Sequence, residues 1–166
     1  MRIVVCLAVG LLLSITATAL EAGKPAPPIA AKLLNGDRFS LEAARGQVVV
    51  INFWATWCAP CVKEIPDLAE FSTDQGNKVR VVGIALDWVA GDKATEADER
   101  KIKAFAKKVG HSYPLVLGNS ATEKVFGKVK GLPKTLVYNP DGIVVFEKTG
   151  PVTKQLLSRI VIGEKI

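Results

Sequence analysis

Two continuously apolar runs bracket a pair of cysteines, and this arrangement restricts the chain more than any other feature in it. "VVVINFW" (48–54) is apolar and rich in β-branched residues, as a strand covered on both faces is. It runs directly into Thr56-Trp57-Cys58 and the motif "CAPC" (58–61). Residues 59–75 then repeat Val62, Ile65, Leu68 and Ala69 at helical spacing, with Gly76-Asn77 as a stop. Pro66 falls inside that helix and is expected to kink it. "VRVVGIALD" (79–87) is a second buried strand. Strand, helix and strand in this order make a βαβ unit, with parallel strands and a right-handed crossover.

The remaining elements fit around that unit. Residues 20–28, "LEAGKPAPP", form a proline-rich linker that cannot be helical. "IAAKLLNGDRFSL" places Asn35-Gly36 between two short apolar segments, a hairpin signal, and Arg45-Gly46 ends a short helix. Ile102, Phe105, Ala106 and Val109 give residues 92–109 an amphipathic helical pattern. A strand is predicted at 113–118, a short helix at 120–127, a hairpin over 134–148 and a closing helix at 153–162. With no repeats or low-complexity runs, one α/β domain with a mixed sheet accounts for residues 29–166.

The first 19 residues read as a signal peptide: Arg2, an apolar run from Ile3 to Leu13, and an Ala17-x-Ala19 cleavage site. An uncleaved anchor over Ile3–Leu20 is the alternative, and either reading exports the domain. Cys6 belongs to this segment and is set aside. The formal charge of +6 is spread over scattered lysines without an arginine-rich stripe or interleaved aromatics, so a nucleic-acid role is not expected.

Four chemistries compete for Cys58-Ala59-Pro60-Cys61. Structural zinc needs about four ligands, and the exported chain would offer two cysteines and one histidine, the distant His111. Haem attachment needs a histidine directly after the second cysteine, where Val62 stands. An inert staple closing so small a loop would constrain the unfolded chain little. A redox dithiol fits the surroundings. Cys58 falls where the strand ends and the helix begins, so unpaired N–H groups and the positive helix end stabilise its thiolate. Pro60 suits the first turn, where no N–H is needed, and Cys61 sits one turn on as the resolving thiol. No metal or cofactor is expected.

"VVVINFWATWCAPCVKEIPDL", with upstream "GKPAPPIAAKLLNGDRFSLEAARGQ" and downstream "GLPKTLVYNPDG", resembles the TlpA/ResA/CcmG-like extracytoplasmic branch of the thioredoxin-fold proteins over residues 23–160. The resemblance implies a thioredoxin fold: a central mixed sheet flanked by helices, with an N-terminal hairpin extension and a βα insertion. It implies that the Leu132–Pro133 bond is cis and faces the CxxC, with Leu132 offering its backbone to an extended client segment. It also marks Glu64 as the acidic residue kept near the dithiol, against the plainer reading of a solvated helix carboxylate. Thioredoxins proper carry a buried Asp in the preceding strand; here that position is Asn52, which cannot carry a proton, so Glu64 is the available base for Cys61. Trp54 reads as core. Trp57 is expected either to line a client-docking surface or to pack against the domain. His111 and Trp88 receive no role.

The function implied is a periplasmic, monomeric thiol–disulfide oxidoreductase that reduces client disulfides through Cys58 and Cys61. Its clients would be haem-binding CxxC motifs of apocytochromes c or cysteines of a copper site, and its electrons would come from a membrane-embedded thiol reductant. Two other readings stay open. One is a thiol oxidant on the same dithiol, since "AP" between the cysteines does not set the potential. The other is a non-catalytic assembly factor that binds a partner or copper, which the two intact cysteines and the absence of added Met or His ligands disfavour.

Overall fold

A computed structural model describes residues 25–87, 95–127 and 129–164. The expected signal segment 1–19, Cys6, linker residues 20–24, Trp88 and the first residues of the helix expected from 92 lie outside the described residues.

The chain order is β1 (Ala30–Lys32), β2 (Arg38–Ser40), β3 (Val48–Trp54), α1 (Ala59–Gln75), β4 (Val79–Ala85), α2 (Glu96–Lys108), β5 (Leu115–Leu117), α3 (Ser120–Phe126), β6 (Lys134–Tyr138), β7 (Val144–Thr149) and α4 (Lys154–Val161). A five-stranded sheet has the order β5-β4-β3-β6-β7. β3, β4 and β5 are parallel, while β6 runs antiparallel to β3 and β7 antiparallel to β6. This is the mixed α/β sheet expected from the sequence, and β1–β2 form the separate antiparallel hairpin.

β3 is central because both of its faces are covered. Val49, Ile51 and Phe53 pack with the hairpin residues Leu33 and Phe39. Val50 faces Leu68 and Phe71 of α1 and Leu157 of α4. Trp54 packs with Cys61 and Ile65 of α1 and Ile102 of α2. The strict alternation of partners explains why the run is apolar without interruption. Asn52 is the exception at this depth, 0% exposed and on the α1 face.

The helix over 59–75 runs through Pro66, which lies inside it. Lacking an N–H, Pro66 leaves the Val62 carbonyl without its usual donor. Three expectations shift. Residues 41–46 form successive turns rather than a helix, because one i→i−4 bond (Ala44 N to Ser40 O, 3.1 Å) is followed by an i→i−3 bond and then Gly46 at φ +89°. A single turn that ends at once cannot recover the cost of nucleation. β5 begins at Leu115 rather than 113, after Pro114, which has no N–H for the ladder. The helix expected from residue 92 is described from Glu96, where Thr95 and Asp98 form a reciprocal capping box. Among the described residues no helix is long and apolar enough to cross a membrane.

Candidate active site

β3 ends at Trp54, and Cys58 N donates to Ala55 O at 3.1 Å, so a single turn joins strand to helix. Cys58 is the N-cap of α1, with extended backbone (φ −87°, ψ 95°) and its Sγ accepting from Cys61 N at 3.3 Å. Pro60 occupies the first turn, where it removes no hydrogen bond. Cys58 and Cys61 form a disulfide with Cα atoms 5.3 Å apart. Their access differs: Cys58 is 5% exposed and Cys61 0%. A thiol arriving from solution therefore meets Cys58 first.

Glu64 is one turn beyond Cys61 on the same helix face. It is 2% exposed, which removes the reading of a solvated helix carboxylate. Oε1 accepts from Asn52 Nδ2 at 2.7 Å, and Oε2 from Val152 N at 2.8 Å. Burial pushes its pKa up to about 7, against the lowering effects of the Val152 and Asn52 hydrogen bonds and the Lys148 charge; Asp67 adds a small raise. Asn52 Nδ2 also donates to Thr135 Oγ1 at 3.2 Å, while Asn52 Oδ1 has no partner among the described residues.

Trp54 is fully buried. Trp57 is 62% exposed beside Cys58, so packing against the domain does not account for it. The Leu132–Pro133 peptide is cis, and Leu132 packs against the group that holds both cysteines. His111 is not a free loop residue. Its ring lies 3.8 Å from that of Tyr113 and 5.1 Å from that of Trp54, and burial pulls its pKa down to about 4, so it is neutral. Burial likewise raises the Tyr113 phenol well above its ordinary value, with the Glu64 charge contributing.

Gly83, paired with Asn52 across β3–β4, makes room for these rings. A Cβ there would lie 2.7 Å from Leu115 Cδ2, 3.1 Å from Tyr113 Cε2 and 3.2 Å from His111 Nε2. We expect Gly83→Ala to destabilise the fold by roughly 1–3 kcal/mol through overpacking. A lowered urea midpoint would show it, and an unchanged midpoint would mean the two rings have room to move.

The partners of Glu64 were not legible in the sequence. Asn52 was visible as a polar residue in an apolar strand, but Val152 and Thr135 are 88 and 83 residues away from the groups they meet. Asp87, which grips the turn before Cys58 through Thr56, carried no signal beyond standing at a strand end. A cleft of about 540 Å³ is lined by Phe39, Ile84, Val116, Val125 and Phe126 and includes neither cysteine. Thiol exchange needs an attacking thiol to reach one sulfur and no enclosing pocket, so a cleft without the cysteines does not count against them.

The AhpC/TSA family pattern matches residues 22–147. The thiol-disulfide oxidoreductase ResA of Bacillus subtilis (strain 168) is 32% identical over 141 residues, spanning 83% of this chain and 73% of that protein. The thioredoxin-like protein YneN of the same organism is 29% identical over 136 residues, 82% of this chain and 76% of that one. The crystal structure of a thiol:disulfide interchange protein, a thioredoxin family protein from Chlorobium tepidum TLS, matches with a TM-score of 0.72 at 28% identity, covering 87% of this chain and 97% of that one.

Proposed function

This chain belongs to the AhpC/TSA family as a thioredoxin-like thiol–disulfide oxidoreductase, and from that premise we propose that it reduces disulfides of client proteins in the periplasm. The observation that carries this reading is the unequal pair at the start of α1: a cysteine with access, capped by a backbone N–H, and a buried one a turn behind it. In this reading residues 1–19 are the export signal, 20–28 the linker and 29–166 the working domain.

The Cys58 thiolate attacks one sulfur of the client disulfide. That S–S bond breaks, a mixed disulfide forms, and the departing client thiolate takes a proton. Cys61 then gives its proton to Glu64 and attacks Cys58 Sγ, which breaks the mixed disulfide and frees the second client thiolate. Two electrons have passed to the client, and Cys58–Cys61 is left oxidised. A base with a pKa near 7 suits this step, since it is substantially ionised and still able to hold the proton. Asn52 serves both states of Glu64. Its Nδ2 donates to the carboxylate, and turning the amide over presents the unpartnered Oδ1 to the acid.

Trp57 supplies an exposed aromatic surface for the client. Leu132 offers its backbone to an extended client segment, and Pro133 shapes that loop. Clients are proteins with disulfides or CxxC pairs, such as apocytochromes c awaiting haem or copper sites awaiting metal. Because the compartment is oxidising, a membrane-embedded thiol reductant must return the dithiol to its working form. The protein acts as a monomer.

Titration of Cys58–Cys61 against glutathione tests the direction of electron flow. We expect a potential toward the thioredoxin end, about −270 mV, together with turnover of a disulfide substrate in excess dithiothreitol. A potential near about −120 mV would make the protein an oxidant instead.

A further inference from the structure

Residues 55–58 form the turn that carries Cys58, and both hydrogen-bond donors of Thr56 in that turn go to one carboxylate. Thr56 N donates to Asp87 Oδ2 at 3.0 Å, and the Thr56 hydroxyl donates to Asp87 Oδ1. Asp87 stands two residues beyond β4. Because β4 runs parallel to β3, it delivers Asp87 to the sheet edge where Cys58 emerges. Leu86 N, donating to Trp54 O at 2.8 Å, carries the ladder up to that point. Both Thr56 and Asp87 are half-buried. A neutral acceptor would hold the Thr56 N–H as well, so what a carboxylate adds is a fixed negative charge on the turn before the nucleophile.

We propose that Asp87 is a positioning residue of the redox site that ties the 55–58 turn in place and keeps the dithiol reducing by disfavouring the Cys58 thiolate. The sign follows from the charges of the two forms. The disulfide is neutral, whereas the reduced site carries a thiolate at Cys58, so a nearby negative charge raises the energy of the reduced form alone. Electrons then leave the site more readily. The charge offsets part of the thiolate stabilisation that the helix start provides. This inference rests on the reading of Cys58 as the attacking thiolate.

The test uses the full chain. Asp87→Asn keeps the shape and an acceptor for Thr56 N while removing the charge. Thr56→Val keeps the charge and removes the hydroxyl bond. The dithiol–disulfide equilibrium with glutathione at pH 7 is expected to shift about three- to tenfold toward the reduced form in Asp87→Asn, up to about 30 mV more oxidising. Alkylation of reduced Cys58 at pH 7 should quicken by a similar factor, and Thr56→Val should shift the equilibrium less than about twofold by leaving the charge in place. Asp87→Ser removes the same charge with a smaller side chain and should move the equilibrium in the same direction, which keeps the test open if the Asn variant does not fold.

An unchanged equilibrium and alkylation rate in Asp87→Asn would overturn the proposal. An equal shift in Thr56→Val would also overturn it, because geometry and not charge would then set the potential. If the fast-alkylating thiol of the unsubstituted protein is not Cys58, the reading of the site itself fails, and that outcome is visible before any variant is made.

Discussion

Cys61→Ser should be recovered with client proteins attached through Cys58, and Cys58→Ser with none. The access difference fixes this asymmetry: Cys58 keeps 5% exposure at the head of α1, while Cys61 has none. A client sulfur therefore bonds to Cys58, and the buried partner releases it from within the protein. Without Cys61 the mixed disulfide has no intramolecular attacker, and it persists until an outside thiol reaches it. Both variants should lose disulfide reductase turnover by at least about 100-fold, and the double variant should be no worse than Cys58→Ser, since the two thiols act as a unit. Adducts are to be read on non-reducing gels and collapse on adding dithiothreitol. Equal trapping by both variants would mean that either sulfur can be attacked from outside, against the burial of Cys61.

Glu64→Gln should flatten a pH dependence that the unsubstituted protein shows in both stability and exchange. The Glu64 carboxyl titrates at about 7 in the folded protein against an ordinary value of 4.5, with burial as the leading cause. Below 4.5 both folded and unfolded chains hold the proton. Between 4.5 and about 7 the unfolded chain has released it and the folded one has not, so stability falls as pH rises and levels off once the folded group ionises. The loss by pH 8 is roughly 3 kcal/mol, at about 1.4 kcal/mol for each pH unit that separates the folded and unfolded titrations. An uncharged amide at this position carries no such slope, so the Glu64→Gln variant should gain on the unsubstituted protein from pH 5 to pH 8 in urea denaturation of the oxidised form. The charges facing the site, Lys148 and Asp67, are the same in both proteins and leave the comparison clean. Exchange at Cys61 should lose its inflection near 7 in the variant. Parallel stability curves together with an unchanged exchange profile would leave Glu64 with no part in the proton transfer.

How far the sequence could be read depended on the distance over which each feature is determined. β3 and α1 match their expected limits of 48–54 and 59–75, because uninterrupted apolar residues and a 3.6-residue repeat are local signals. The turns at 41–46 and the short β5 depart from expectation where one Gly or Pro decides between states of nearly equal energy. Glu64 marks the other limit. Its position in α1 was legible, but its burial was not, since a glutamate among Lys63, Asp67 and Glu70 looks like part of a wet helix face. Only the packing of α4 and the segment before it over α1, with Val152 supplying an N–H, makes it an interior acid.

The sequence by itself determined the reagent: two cysteines three apart, placed where a buried strand gives way to a helix, with a proline that the first turn tolerates. These are consequences of composition and spacing, and they follow from backbone chemistry within some twenty residues. The tertiary structure alone decided what surrounds that reagent. It brought Asn52, Thr135 and Val152 around Glu64, folded His111 and Tyr113 over Gly83, and set Asp87 on the turn before Cys58. A pKa and a potential depend on desolvation and on charges a few ångströms away, and residues far apart in the chain become neighbours only when the sheet and its helices close.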